Sequence, residues 1–96
     1  MSETKYIVKT TSQFKKDYKL AKKQGHNMEL LKQVIAMLAD GVPLPEQYKD
    51  HSLSGNWVRH RECHILPDWL LIYKYDQNTL ILTLVRTGSH NNLFGK

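Results

Sequence analysis

The chain has 96 residues, 14 Lys and Arg against nine Asp and Glu, five His and a single Cys. That length fits one domain over residues 1–96 and leaves no room for a separate cofactor domain, while one cysteine excludes an internal disulfide or a cysteine-rich zinc site. The net charge of +5 points to a polyanionic partner without naming it. Lys5 to Thr10, short and rich in β-branched and aromatic residues, reads as a first strand. Ser12 is a good N-cap for a helix whose buried stripe is Phe14, Tyr18 and Ala21, ended by Gly25. Met28, Leu31, Val34, Ile35 and Leu38 keep helical spacing from about Asn27 to Asp40, with Gly41 and Pro43 as stop signals. So short a connection predicts an antiparallel helix pair.

Val42 to Gly55 shows no clear period and reads as an ordered loop. Trp57 to Ile65, Trp69 to Tyr75 and Leu80 to Val85 read as three strands, the last two joined by a turn at Asp76-Gln77-Asn78. Arg86 to Lys96 reads as a polar tail. Helices early and hairpin-linked strands late predict an α+β fold, with two N-terminal helices packed on a mainly antiparallel four-stranded sheet. No apolar run approaches the roughly 20 residues of a membrane span, and the first ten residues lack the apolar core of a signal peptide. A cytoplasmic protein without membrane association is expected.

Charge and histidines divide the chain. Residues 1–49 carry nine Lys and five acids, and residues 50–96 carry five basic residues and four acids. Lys15, Lys16, Lys19, Lys22 and Lys23 fall on one arc of the first helix, diluted by Asp17. Such an arc is either a solvated face or a surface that tracks phosphates. Four of the five histidines lie between residues 51 and 90. On a strand from Trp57 to Ile65, Glu62 and His64 would share one face and Cys63 the other, with His60 about 13 Å from His64. His51, His64 and His90 each adjoin turn-forming residues, where chemistry tends to be mounted. No tight His/Cys spacing marks a metal site, and no phosphate-binding glycine loop or nucleophile elbow is present. Cys63 reads as core. Trp57, Trp69, Tyr73 and Tyr75 read as strand packing, whereas Phe94 in the tail is either an anchor or a stacking platform.

Three strings carry a resemblance: Tyr48 to Gly55 (YKDHSLSG), Arg61 to Lys74 (RECHILPDWLLIYK) and Arg86 to Gly95 (RTGSHNNLFG). Together with the lysine-rich first helix and the Pro-Leu-Pro loop at residues 43–45, they resemble the YafQ family of bacterial toxins, within the RelE/ParE superfamily of type II toxin–antitoxin systems. The resemblance implies a RelE-like fold and a ribosome-dependent endoribonuclease that cuts translated messenger RNA in the ribosomal A site, without a cofactor or metal. It implies a 70S ribosome partner with its mRNA and rRNA, and a cognate DinJ/RelB-like antitoxin through which operator DNA would be bound. Matched residue by residue, it implies a catalytic set of His51, His64, Asp68 and His90, with Phe94 contacting RNA. Glu62 stands where the family's usual pattern has Asp, which keeps the charge on a longer arm.

Imidazoles suit this chemistry, because metal-free RNA cleavage needs a base for the 2′-OH, a donor for the phosphorane and an acid for the leaving oxygen near neutral pH. His51 and His90 are expected as base and acid in either order, His64 as the phosphate donor and Asp68 as the group orienting a histidine. Arg86 is a further phosphate candidate, and Lys15, Lys19 and Lys22 are the expected rRNA contacts. The rival readings are a ParE-like toxin that binds gyrase without cutting RNA, and a basic nucleic-acid-binding regulator.

Overall fold

The computed structural model describes residues 4–95; residues 1–3 and 96 of the expected 1–96 domain lie outside it. In chain order the elements are β1 (Ile7–Thr10), α1 (Ser12–Lys23), α2 (Met28–Ala39), β2 (His51–Ser52), β3 (Arg61–Leu66), β4 (Trp69–Asp76), β5 (Ile81–Gly88) and α3 (His90–Phe94). The five strands form one sheet in the order β1-β5-β4-β3-β2. β1 runs parallel to β5, and every other pairing is antiparallel.

The fold is α+β as expected, but with one more strand and one more helix. The Val42 to Gly55 loop contains the two-residue β2, too short for an alternating pattern to show. The supposed polar tail holds α3, whose ends are written in Ser89 and Gly95. The Ser89 side chain accepts from the Asn92 N–H, and Gly95 ends the helix at φ 72°, a conformation glycine reaches without a Cβ penalty. The expected strand from Trp57 starts later, because Gly55–Trp57 is a 3-10 turn and Arg59 has φ 72°. The first helix is capped by Thr11 rather than Ser12: the Thr11 hydroxyl accepts from Phe14 N at 2.9 Å and donates to Val85 O at 2.7 Å. One threonine thus starts α1 and ties it to β5. The expected helix pair is held chiefly by the sheet, α1 on β5 and α2 on β3.

β4 is central, and its Trp69 to Tyr73 run is buried on both faces, as a strand with cover on each side must be. Trp69, Leu71 and Tyr73 join Cys63, Leu82 and Leu84 under Phe14, Ala21, Leu31, Val34 and Leu38 of the helices. Leu70 and Ile72 face the other way, into a smaller cluster with Leu53, Trp57, Val85 and Leu93. The two long helices therefore cover one face, and α3 with the β2 to β3 connection covers part of the other. The site is built on this second face.

Asp17 does not dilute the lysine arc. It is buried, accepting from Arg86 at 2.9 and 3.1 Å and from the Thr87 N–H at 3.2 Å. The hydrogen bond to Asp17 holds the Arg86 guanidinium above its ordinary value. Removing one member of such a pair leaves the other desolvated and alone. Asp17→Ala is expected to lower unfolding free energy by about 3 kcal/mol, with a smaller loss for Asp17→Asn, measured by urea titration.

Candidate active site

The register of two short pairings assembles the site. His51 stands opposite Glu62 across β2 and β3, and directly opposed residues on antiparallel strands present side chains to the same face. Glu62 and His64, two apart on β3, share that face, while Cys63 between them points into the helix-covered core. His51 Nε2 lies 3.3 Å from Glu62 Oε1, and His64 Nε2 lies 3.7 Å from the same oxygen. Glu62 is only 4% exposed.

Each ring is turned by a backbone carbonyl. His51 Nδ1 is 2.8 Å from Lys49 O, and His64 Nδ1 is 3.3 Å from Pro67 O. A carbonyl only accepts, so both rings carry a proton on Nδ1 and present Nε2 to the site. Lys49 adopts φ 50°, and this left-handed step places its carbonyl under the His51 ring.

β4 and β5 bring the remaining members. Asp68 in the β3–β4 turn accepts from the His90 backbone N–H at 3.3 Å, and its Oδ1 lies 3.5 Å from His90 Nδ1. That contact fixes the first turn of α3 and orients its histidine together. His90 and Phe94 are four residues apart on this helix, so they share a face, with ring centroids 6.2 Å apart. The imidazoles form a row: His51 to His64 is 6.4 Å and His64 to His90 is 5.8 Å between centroids. Phe94 extends the row to Trp57, 6.0 Å away and edge-on.

The structure thus brings together His51, Glu62, His64, Asp68, His90 and Phe94, and separates the other candidates from them. Arg86 is engaged by Asp17 and belongs to the packing of α1 on β5. Lys15, Lys19 and Lys22 are exposed on α1, across the sheet from the histidines. His60 stacks edge-on against Trp57 at 5.3 Å, apart from the cluster as its spacing implied. Cys63 offers no nucleophile: burial, followed by the nearby Asp50 and Glu62 charges, pushes its thiol up to about 12. The metal-ligand pattern missing from the linear sequence does exist in space, since donor atoms of Glu62, His64 and His90 all lie within 4.8 Å of one another.

Sequence reasoning missed the group that holds β2 in place. On the core side of that strand, Asp50 pairs with Arg61 at 3.1 Å and accepts from the Tyr73 hydroxyl. The hydrogen bond to Asp50 holds Arg61 above its ordinary value, and burial, then the phenol's own hydrogen bond to Asp50, pushes the Tyr73 phenol up. The Lys-Asp-His string held the clue, since strand alternation sends Asp50 and His51 to opposite faces.

With this geometry in hand, the likeness to known proteins is direct. The profile of the family described as the bacterial toxin of type II toxin–antitoxin system, YafQ, matches residues 6–95. The chain belongs to the YafQ family. It is 43% identical over 89 residues to the mRNA interferase toxin YafQ of Escherichia coli K12, covering 92% of this chain and 95% of that protein. Its structure is similar to the toxin in the crystal structure of the E. coli DinJ-YafQ complex, at 42% identity and a TM-score of 0.86, covering 94% of this chain and 99% of that one. It is equally similar to a metal-bound toxin from Helicobacter pylori, at 43% identity and a TM-score of 0.88, covering 93% and 99%. No helix among the described residues is long and apolar enough to cross a membrane.

The anchoring group around Asp50 can be tested apart from activity. Asp50→Ala deprives Arg61 and Tyr73 of their acceptor and should cost about 1–3 kcal/mol. Hydrogen exchange should quicken at the His51 and Ser52 amides while the amides of β4 remain protected, and Asp50→Asn should restore part of the loss.

Proposed function

We propose that this YafQ-family toxin is a ribosome-dependent endoribonuclease that cleaves translated mRNA in the ribosomal A site by metal-free acid and base catalysis, held in check by a cognate DinJ/RelB-like antitoxin. The observation that carries the reading is the row of three imidazoles from three separate elements, tied by two carboxylates and ended by an exposed aromatic ring. The names of the E. coli relatives, an mRNA interferase and the toxin of a DinJ-YafQ complex, support the same substrate and partner. In the ParE-like alternative, or in a simple nucleic-acid-binding regulator, nothing would require backbone carbonyls to turn His51 and His64 so that Nε2 of each faces one shared carboxylate.

In the proposed mechanism Phe94 stacks on a base of the message and fixes the scissile phosphate beside His64. His51, poised by Lys49 O, takes the proton of the 2′-OH through Nε2. The 2′-oxygen attacks the adjacent phosphorus in line, and the P–O5′ bond breaks. His90, held at Nδ1 by Asp68, gives its Nε2 proton to the leaving 5′-oxygen. His64 donates to the non-bridging oxygens as charge builds there. Glu62 faces both His51 and His64 and stabilises either ring when it carries the extra proton. The products are a 2′,3′-cyclic phosphate and a 5′-hydroxyl. The operator complex would form through the antitoxin.

Primer extension on a translated message, kept in Mg²⁺ with a zinc-selective chelator, should show cuts within codons that disappear with His90→Ala. A 5′-phosphate on the product, or cleavage that requires added Zn²⁺, would overturn the mechanism. An ion on Glu62, His64 and His90 would displace the protons that His64 and His90 donate, so Zn²⁺ should slow the reaction.

The lysine face of α1 is proposed to dock on rRNA. Lys15, Lys19, Lys22 and their neighbours Lys16 and Lys23 are all exposed, and with Asp17 turned inward no acid shares their arc. Changing Lys15, Lys19 and Lys22 together to Glu should leave the circular dichroism spectrum intact and remove the protein from the ribosome fraction on sedimentation.

A further inference from the structure

On the sheet face shared with the histidines, but beyond them, the strands present a second cationic surface. Thr83 of β5 is flanked by Lys9 of β1 and Lys74 of β4 in the pairing registers, so the two lysines stand about 10 Å apart across two strand spacings. Lys74 follows Ile72 by two residues and therefore lies on the α3 side of the sheet. Neither long helix covers this face. The Val58-Arg59-His60 segment rises along its rim and closes a cleft of about 620 Å³.

Three features mark the cleft as a binding surface. Lys9, Arg59 and Lys74 are exposed and have no ion-pair partner among the described residues. The acid lining it, Asp76, spends its Oδ1 on the Asn78 and Thr79 amides of its own turn. Arg59 occupies a left-handed conformation, φ 72°, where glycine or asparagine would stand with less strain, and a strained residue is informative when its side chain bears on a site. Finally, the cleft is joined to the catalytic row by rings: His90 to Phe94 at 6.2 Å, Phe94 to Trp57 at 6.0 Å and Trp57 to His60 at 5.3 Å.

We infer that Lys9, Arg59, His60 and Lys74 form a subsite for the sugar–phosphate backbone of single-stranded RNA, which holds nucleotides flanking the scissile bond after the strand passes over Phe94 and Trp57. The inference rests on the endoribonuclease reading and deepens it. Exposed cations follow the backbone without reading bases, while the rings between them and the histidines accept any base by stacking. The subsite thus contributes affinity and direction to the strand, and leaves base choice to the residues around Phe94.

The test is equilibrium binding of a fluorescent single-stranded RNA of about 12 nucleotides to the full chain carrying His90→Ala, with and without Lys9→Gln, Arg59→Asn and Lys74→Gln together. The triple change should weaken binding about tenfold at low salt and reduce the slope of log affinity against log salt by about 2. Lys9→Arg with Lys74→Arg should keep both, which separates charge from folding. An unchanged slope in the triple variant would overturn the subsite. Equal loss of affinity for a poly-glutamate peptide that wild type binds as tightly as RNA would also overturn it, in favour of an acidic protein segment. Binding is read without turnover, so the two readings fail differently. If the nuclease reading fails, the message stays uncut while the slope still falls; if the subsite fails, the slope is unchanged in a chain whose His90 form still cuts.

Discussion

Glu62 is an acid placed where water scarcely reaches it, with Oε1 3.3 Å from His51 Nε2 and 3.7 Å from His64 Nε2. A carboxylate only accepts, so each contact is favourable when the ring carries a proton on Nε2 as well as on Nδ1, and the placement of the acid and of the two rings is mutual. His64 comes with β3, but His51 reaches Glu62 only if β2 pairs in register. Asp50, Arg61 and Tyr73 hold that register from the opposite face. A polar group under the strand and a carboxylate above it therefore act on the same two residues of backbone, and the position of the first histidine in the row follows from their agreement.

The long elements were legible in the sequence because they are long enough to repeat. Phe14, Tyr18 and Ala21 mark the buried side of α1, and the alternation of Glu62, Cys63 and His64 separates the candidate site from the core. What escaped was short or distant. Two residues of β2 and five of α3 carry no measurable period, although Ser89 and Gly95 framed α3 with a cap at each end. The parallel pairing of β1 with β5 joins positions more than 70 residues apart, and nothing local in Ile7 to Thr10 announces it.

Charged residues show the same limit. Asp17 sits among lysines in the sequence and Arg86 opens one of the three strings, so neither position announces the other. Their partnership spans 69 residues, and it removes one acid from the surface and one base from the candidate site together. The metal-capable grouping of Glu62, His64 and His90 was likewise invisible to ligand spacing, since its members come from a strand and from a helix that begins two strands later.

The brevity of β2 and α3 has a consequence for the row of imidazoles. The central strands bury side chains on both faces, whereas elements of two and five residues sit at the low end of local stability. His51 and His90 belong to these two pieces, whereas His64 between them stands on β3. Local opening of either short element would therefore remove an outer imidazole from the row while the longer strands stay paired.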